Sequence, residues 1–125
     1  MSNNQLICIV DDDHSMLRML TRAMSAAGFE VATFGSSEAL LNSGQITEAS
    51  CVILDIDLPG ISGLDLQQKF NQRGRDVPII VISGQATEKT RRRALQQGAF
   101  AFLDKPFNLE SLLAAIRSAA SLTPA

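Results

Sequence analysis

Five short apolar runs divide this chain, and each is followed by a stretch with the period or the cap of a helix. Leu6 to Val10 has strand length and leads into Asp11-Asp12-Asp13. Met16, Met19, Leu20, Ala23, Met24 and Ala27 then recur at helical spacing until Gly28 stops them. Phe29 to Phe34 predicts a second strand, made more polar by Glu30 and Thr33. Ser36 or Ser37 can cap a short helix through Ala39, Leu40 and Leu41 that ends by Gly44. Cys51 to Leu54 predicts a buried strand running into Asp55. Pro59-Gly60 breaks the chain, Ser62 can cap, and Leu64 to Phe70 predicts the next helix. Pro78 to Ser83 is the most apolar strand, followed by a polar helix over Thr87 to Gln97 that Gly98 closes. Phe100 to Leu103 predicts the fifth strand. After Pro106, a last helix lines up Leu109, Leu112, Leu113 and Ile116.

Strand and helix alternating in this way imply a parallel sheet joined by right-handed crossovers. The three most apolar strands belong in the middle, buried on both faces. Helices on both faces require the winding to reverse once. For five strands, the flavodoxin-like (βα)5 order 2-1-3-4-5 meets that need and puts the polar second strand at an edge. The 125 residues fit one domain spanning 1–125, with a frayed tail over 121–125. With 46% apolar residues and a net charge of −2, disorder is not expected, nor is sequence-independent binding to nucleic acid. The two cysteines, Cys8 and Cys51, lie in apolar runs and argue against a secreted disulfide scaffold. No run approaches the roughly 18 apolar residues of a membrane span, and no signal peptide is visible, so a cytoplasmic location is expected.

A parallel sheet delivers every strand's C-terminal end to one edge, where ligands bind at the switch point between the first and third strands. Asp11 and Asp12 follow the first strand, Asp55 the third, Ser83 ends the fourth, and Lys105 follows the fifth. Strands lie roughly 4.8 Å apart, so Asp12 and Asp55 can share one ion. Carboxylates this close repel by a few kcal/mol per pair at about 4 Å, which a proton or a cation must relieve. Oxygen ligands with room for water suit Mg²⁺. Carboxylate, divalent metal, lysine and hydroxyl are together the parts for phosphoryl transfer. Taken singly, each residue has a plainer reading. Asp12 or Asp13 can cap the first helix, and Asp13 is assigned that role; Asp55 and Asp57 can be loop residues ahead of Pro59. Chemical complementarity at one edge favours the site.

The blocks Ile9-Val10-Asp11-Asp12-Asp13, Leu54-Asp55-Ile56-Asp57-Leu58-Pro59-Gly60-Ile61-Ser62-Gly63, Ile82-Ser83-Gly84 and Asp104-Lys105-Pro106-Phe107 resemble the signature blocks of response-regulator receiver domains, the CheY-like superfamily. The resemblance runs from about Gln5 to Ala120 and is greatest to FixJ-type receivers. It implies that Asp55 accepts a phosphoryl group from the phosphohistidine of a histidine kinase or a histidine phosphotransfer protein. It implies Mg²⁺ held by Asp11, Asp12, Asp55 and the backbone carbonyl of Asp57, with Lys105 on the phosphoryl oxygens. Ser83 is then the switch hydroxyl and Phe102 the aromatic switch residue. Asp57 and Gln85 occupy positions that tune dephosphorylation, and the Lys105–Pro106 bond is expected to be cis. Phe102 replaces the commoner Tyr and Ser83 the commoner Thr. Such a domain is a signalling switch rather than an enzyme on other substrates. Its output passes to a downstream effector or to an output domain, and phosphorylation-linked dimerisation stays open.

Lys89, Arg91, Arg92 and Arg93 suggest a nucleic-acid patch, but three consecutive residues spread over about 200° of a helix, so a solvated face is expected. That helix has few apolar anchors beyond Ala94 and Leu95, and is expected to move on phosphorylation as part of the face it forms with the fifth strand and last helix. Met16, Met19 and Met24 are expected to fill core space, with Met16 a candidate kinase contact if exposed. His14, the only histidine, is expected at the surface, and both cysteines in the core. A haloacid-dehalogenase-type phosphatase also uses Asp-x-Asp, a lysine and Mg²⁺. It requires Thr or Val where Pro59 stands and leaves Asp11-Asp12 without a role. A degenerate receiver serving only as an interaction module is opposed by the complete acid set.

Overall fold

The structure, a computed structural model, describes residues 5–44, 48–57, 65, 68 and 77–121. Five strands pair in parallel in the order β2-β1-β3-β4-β5, as the alternation predicts. They are β1 (Leu6–Val10), β2 (Glu30–Phe34), β3 (Ala49–Asp55), β4 (Ile79–Ser83) and β5 (Ala101–Asp104). Among the described residues, four helices connect or follow them: α1 (His14–Ala26), α2 (Ser37–Ser43), α3 (Glu88–Gln96) and α4 (Leu109–Ala120). The helix expected over Leu64 to Phe70, with its Pro59-Gly60 break and Ser62 cap, lies outside the described residues save for Asp65 and Gln68, both helical.

The side-chain period of two splits each apolar run between two cores. Ile7, Ile9, Cys51, Ile53, Ile80 and Ile82 face α1 and α4, meeting Leu20, Met24, Leu112 and Ile116. Cys8, Val10, Val52, Leu54 and Val81 face the other way, where Leu40 of α2 and Ala94 of α3 close over them. This explains why β3 and β4 are buried at every position while the edge strand β2 has none of its residues fully buried. β3 begins two residues earlier than its apolar run suggests. Ala49 pairs with Leu6 and Cys51 with Ile7, so Ser50 is an inserted residue that hides the strand's start.

Helix starts follow side-chain chemistry. Asp13 caps α1 by accepting from the amides of Ser15 and Met16, Ser36 caps α2, Thr87 caps α3 and Asn108 caps α4. Gly44 closes α2 at φ 75°, a left-handed position where glycine carries no Cβ penalty. Two expected core residues stand outside. Met19 is 44% exposed, being about 200° round α1 from buried Leu17. Leu95 is 48% exposed, one residue off the direction in which Ala94 meets the sheet. Met16 is half-buried, Met24 and both cysteines are buried, and His14 is exposed.

Candidate functional site

The carboxyl edge collects Asp11, Asp12, Asp55, Ser83 and Lys105, and adds Asp57. Asp11 and Asp55 are held in the same way. Oδ1 of Asp11 accepts from the amide of Asp13 at 2.9 Å, and Oδ1 of Asp55 accepts from the amide of Asp57 at 2.8 Å. Each is an Asx turn, a carboxylate satisfied by the backbone two residues on. The second oxygen of each accepts from Lys105 Nζ, at 3.1 Å for Asp11 and 2.8 Å for Asp55. Lys105 thus bridges the first and third strands from the end of the fifth. The peptide bond that follows it, Lys105–Pro106, is cis, as expected.

Asp11 and Asp55 are buried and Asp12 is exposed, and one oxygen from each lies within 4.8 Å of the others. Three carboxylates against one ammonium leave a formal charge of −2 (−3 + 1), held between buried strand ends. Burial pushes the Asp11 carboxyl above its ordinary value and the Asp55 charge adds to this, against the Asp13 amide and Lys105. Burial alone would lower Lys105. The hydrogen bonds to Asp55 and Asp11 outweigh it and hold the ammonium above its ordinary value. Lys105 is therefore a fixed positive charge that only partly offsets the acids. An all-oxygen donor set with an exposed member and uncompensated charge fits a hard divalent cation that keeps some water.

Ser83 is fully buried, and its hydroxyl donates to the Asp57 carboxylate at 3.0–3.1 Å. The Gly84 amide donates to the same carboxylate at 2.8 Å, and the Gln85 amide donates to Ser83 Oγ at 3.2 Å. The Asp57 side chain therefore turns towards the end of β4, away from the Asp11, Asp12 and Asp55 group. Its grouping with those acids as an oxygen ligand rests on its backbone alone. Gln85 is exposed. Phe102 is half-buried, paired in register with Val81, and the Arg91 guanidinium lies 4.7 Å from its ring centroid. Arg91 also pairs with Asp104 at 2.7 Å.

Residues 7–117 match the family model of the response regulator receiver domain. The chain belongs to that family. The receiver is 41% identical over 119 residues to the response regulator protein TmoT of Ectopseudomonas mendocina, covering 95% of this chain and 54% of that protein. It is 40% identical over 118 residues to nodulation protein W of Bradyrhizobium diazoefficiens, covering 94% of this chain and 52% of the other. The chain thus spans about half the length of the curated relatives it matches. The structure of response regulator StyR superposes with a TM-score of 0.88 at 34% identity, over 95% of this receiver and 60% of that chain. FixJ-N superposes with a TM-score of 0.86 at 26% identity, over 98% of both. The flavodoxin-like fold and the likeness to FixJ-type receivers thus agree with the sequence. No helix among the described residues is long and apolar enough to cross a membrane.

Three contacts of this receiver were not foreseen from the sequence: Lys105 bonding both carboxylates, the Asp57 side chain holding Ser83, and the Arg91 clasp. None of the three has a signal in the spacing of the residues, because each depends on how far a side chain reaches across the sheet edge or from helix to strand.

Proposed function

We infer that this receiver takes a phosphoryl group from the phosphohistidine of a histidine kinase or phosphotransfer protein onto Asp55. The observation that carries this reading is the fixed, buried Asp55 carboxylate, with one oxygen on the Asp57 amide and the other on Lys105. In the transfer, an Asp55 oxygen attacks phosphorus and the phosphorus–nitrogen bond breaks. The bond's electron pair stays on the imidazole, whose other ring nitrogen carries the proton that lets it leave neutral. Asp55 becomes an acyl phosphate. Lys105 neutralises phosphoryl oxygens as it now neutralises Asp55. Asp11, Asp12, Asp55 and the Asp57 carbonyl would hold Mg²⁺, which supplies charge neutralisation on the phosphoryl oxygens when bound.

Ser83 acts as the switch hydroxyl that engages the phosphoryl group, and Phe102 as the aromatic that follows it. Asp57 and Gln85 shape access of water to the acyl phosphate. The face that changes is made by α3, β5 and α4, and support for its mobility comes from α3, whose only buried side chain is Ala94. The output goes to an effector protein or output domain in the cytoplasm, where the kinase's phosphohistidine is found. The domain turns over no other substrate. Incubation with Mg²⁺ and acetyl phosphate is expected to add one labile phosphoryl group by mass spectrometry. An adduct that persists in Asp55→Asn would sink the assignment.

A further inference from the structure

We propose that the Asp57 carboxylate is a built-in competitor of the phosphoryl group, holding the Ser83 hydroxyl and the Gly84 amide until phosphorylation displaces it. The inference rests on the phosphoacceptor reading of Asp55 and adds a regulatory contact to it. Donor bookkeeping carries it. A serine hydroxyl has one proton, and that of Ser83 is spent on Asp57. Gly84 has one amide proton, and that too is spent on Asp57, at 2.8 Å. The remaining contact of Ser83, from the Gln85 amide, uses the oxygen as acceptor and frees no proton. So the two donors at the end of β4, on the strand beside Asp55, are both committed to an anionic oxygen group before any phosphoryl arrives.

The position of the competitor follows from the chain. Asp57 donates its own amide to Asp55 Oδ1, so the residue that helps fix the phosphoacceptor also carries the carboxylate that occupies the donors. Its side chain is exposed while Ser83 is buried. The exchange is therefore lopsided. On release the carboxylate gains water, whereas the Ser83 hydroxyl, buried beneath that carboxylate, loses a charged acceptor that only another anion replaces in kind. A phosphoryl group is such an anion. The latch is thus biased to open when a second anion is delivered, and it lowers the affinity of the site for that anion by the strength of the bonds that must be broken.

The test uses beryllofluoride, a non-covalent phosphoryl analogue, titrated by calorimetry into the full chain with saturating Mg²⁺. Asp57→Ala is expected to bind about tenfold more tightly than the wild type, because charge-assisted hydrogen bonds no longer have to be broken. Asp57→Asn keeps an acceptor but no charge and should fall between them. In a Ser83→Ala protein the gain from Asp57→Ala should shrink to about threefold, since only the Gly84 amide remains to be freed. Before beryllofluoride is added, the Gly84 amide proton resonance should move upfield in Asp57→Ala. Wild-type binding with no gain in Asp57→Ala would overturn the latch alone. So would a gain undiminished by Ser83→Ala, which would assign the effect to charge, or an unmoved Gly84 resonance. No binding by the wild type would instead overturn the phosphoacceptor reading.

Discussion

Asp11 and Asp55 come from strands far apart in sequence, yet each places one oxygen on a backbone amide two residues on and the other on Lys105. This arrangement makes Lys105 the counterion of two buried acids at once, and its removal leaves both without one. Breaking a buried ion pair costs about 3–5 kcal/mol, and the partial exposure of the Lys105 side chain lowers that to about 2 kcal/mol. Lys105→Ala is therefore expected to lose about 2 kcal/mol of stability in EDTA, read from urea unfolding. With Mg²⁺ present the loss should shrink, since a cation at the Asp11, Asp12 and Asp55 group takes over part of the neutralisation. An equal loss with and without Mg²⁺ would show that the lysine and the metal do not share those acids. That these residues meet at one sheet edge is legible in their order along the chain. The doubled use of Lys105 is not, because it depends on how far a lysine from the fifth strand reaches across the sheet edge.

Of the four helices described, α3 is the one least explained by burial. Ala94 is its one buried side chain, and Leu95, expected as a second anchor, is largely exposed. What attaches the helix instead is Arg91, which lies over Phe102 and pairs with Asp104 beside Lys105. The four basic residues noted in the sequence thus divide. Arg91 is structural and Arg93 pairs with Asp65 at 3.8 Å, while Lys89 and Arg92 are exposed. A cation–π contact and an exposed ion pair contribute together about 1 kcal/mol, equivalent to about fivefold in an opening equilibrium. Arg91→Ala is expected to speed amide exchange in Glu88–Gln96 about fivefold while leaving β1 and β3 unchanged. Uniform acceleration across the sheet would instead mean that Arg91 contributes to global stability. Periodicity located α3 within one residue at each end, but it weighs only apolar side chains, so a helix anchored by an arginine looks unattached.

Across the whole molecule, strand order and the two-sided core were legible, since three apolar runs without polar alternation have to be buried on both faces. The start of β3 was not, because Ser50 interrupts its hydrophobic pattern where the strand bulges against β1. The same two-faced core sets how stability responds to alkali. Cys8 sits in one core layer and Cys51 in the other, both fully buried and free. Burial pushes the Cys8 thiol up to about 11, and burial aided by the nearby Cys8 pushes Cys51 up to about 12. A folded pKa above the unfolded value means that the native chain holds its thiol protons more tightly. The resulting stability is whole below the unfolded thiol's value of about 9 and is lost as pH rises from there towards 11 and 12. Within that window each thiol is expected to cost about 1.4 kcal/mol per pH unit. Lys105, also raised, keeps its contribution until above its ordinary pKa, so urea unfolding between about pH 8 and pH 10.5 isolates the thiols. The double variant Cys8→Ala, Cys51→Ala should start less stable at pH 8 because of the space it leaves, and then fall more slowly. Parallel declines in the variant and the wild type would place the alkaline sensitivity elsewhere in the fold.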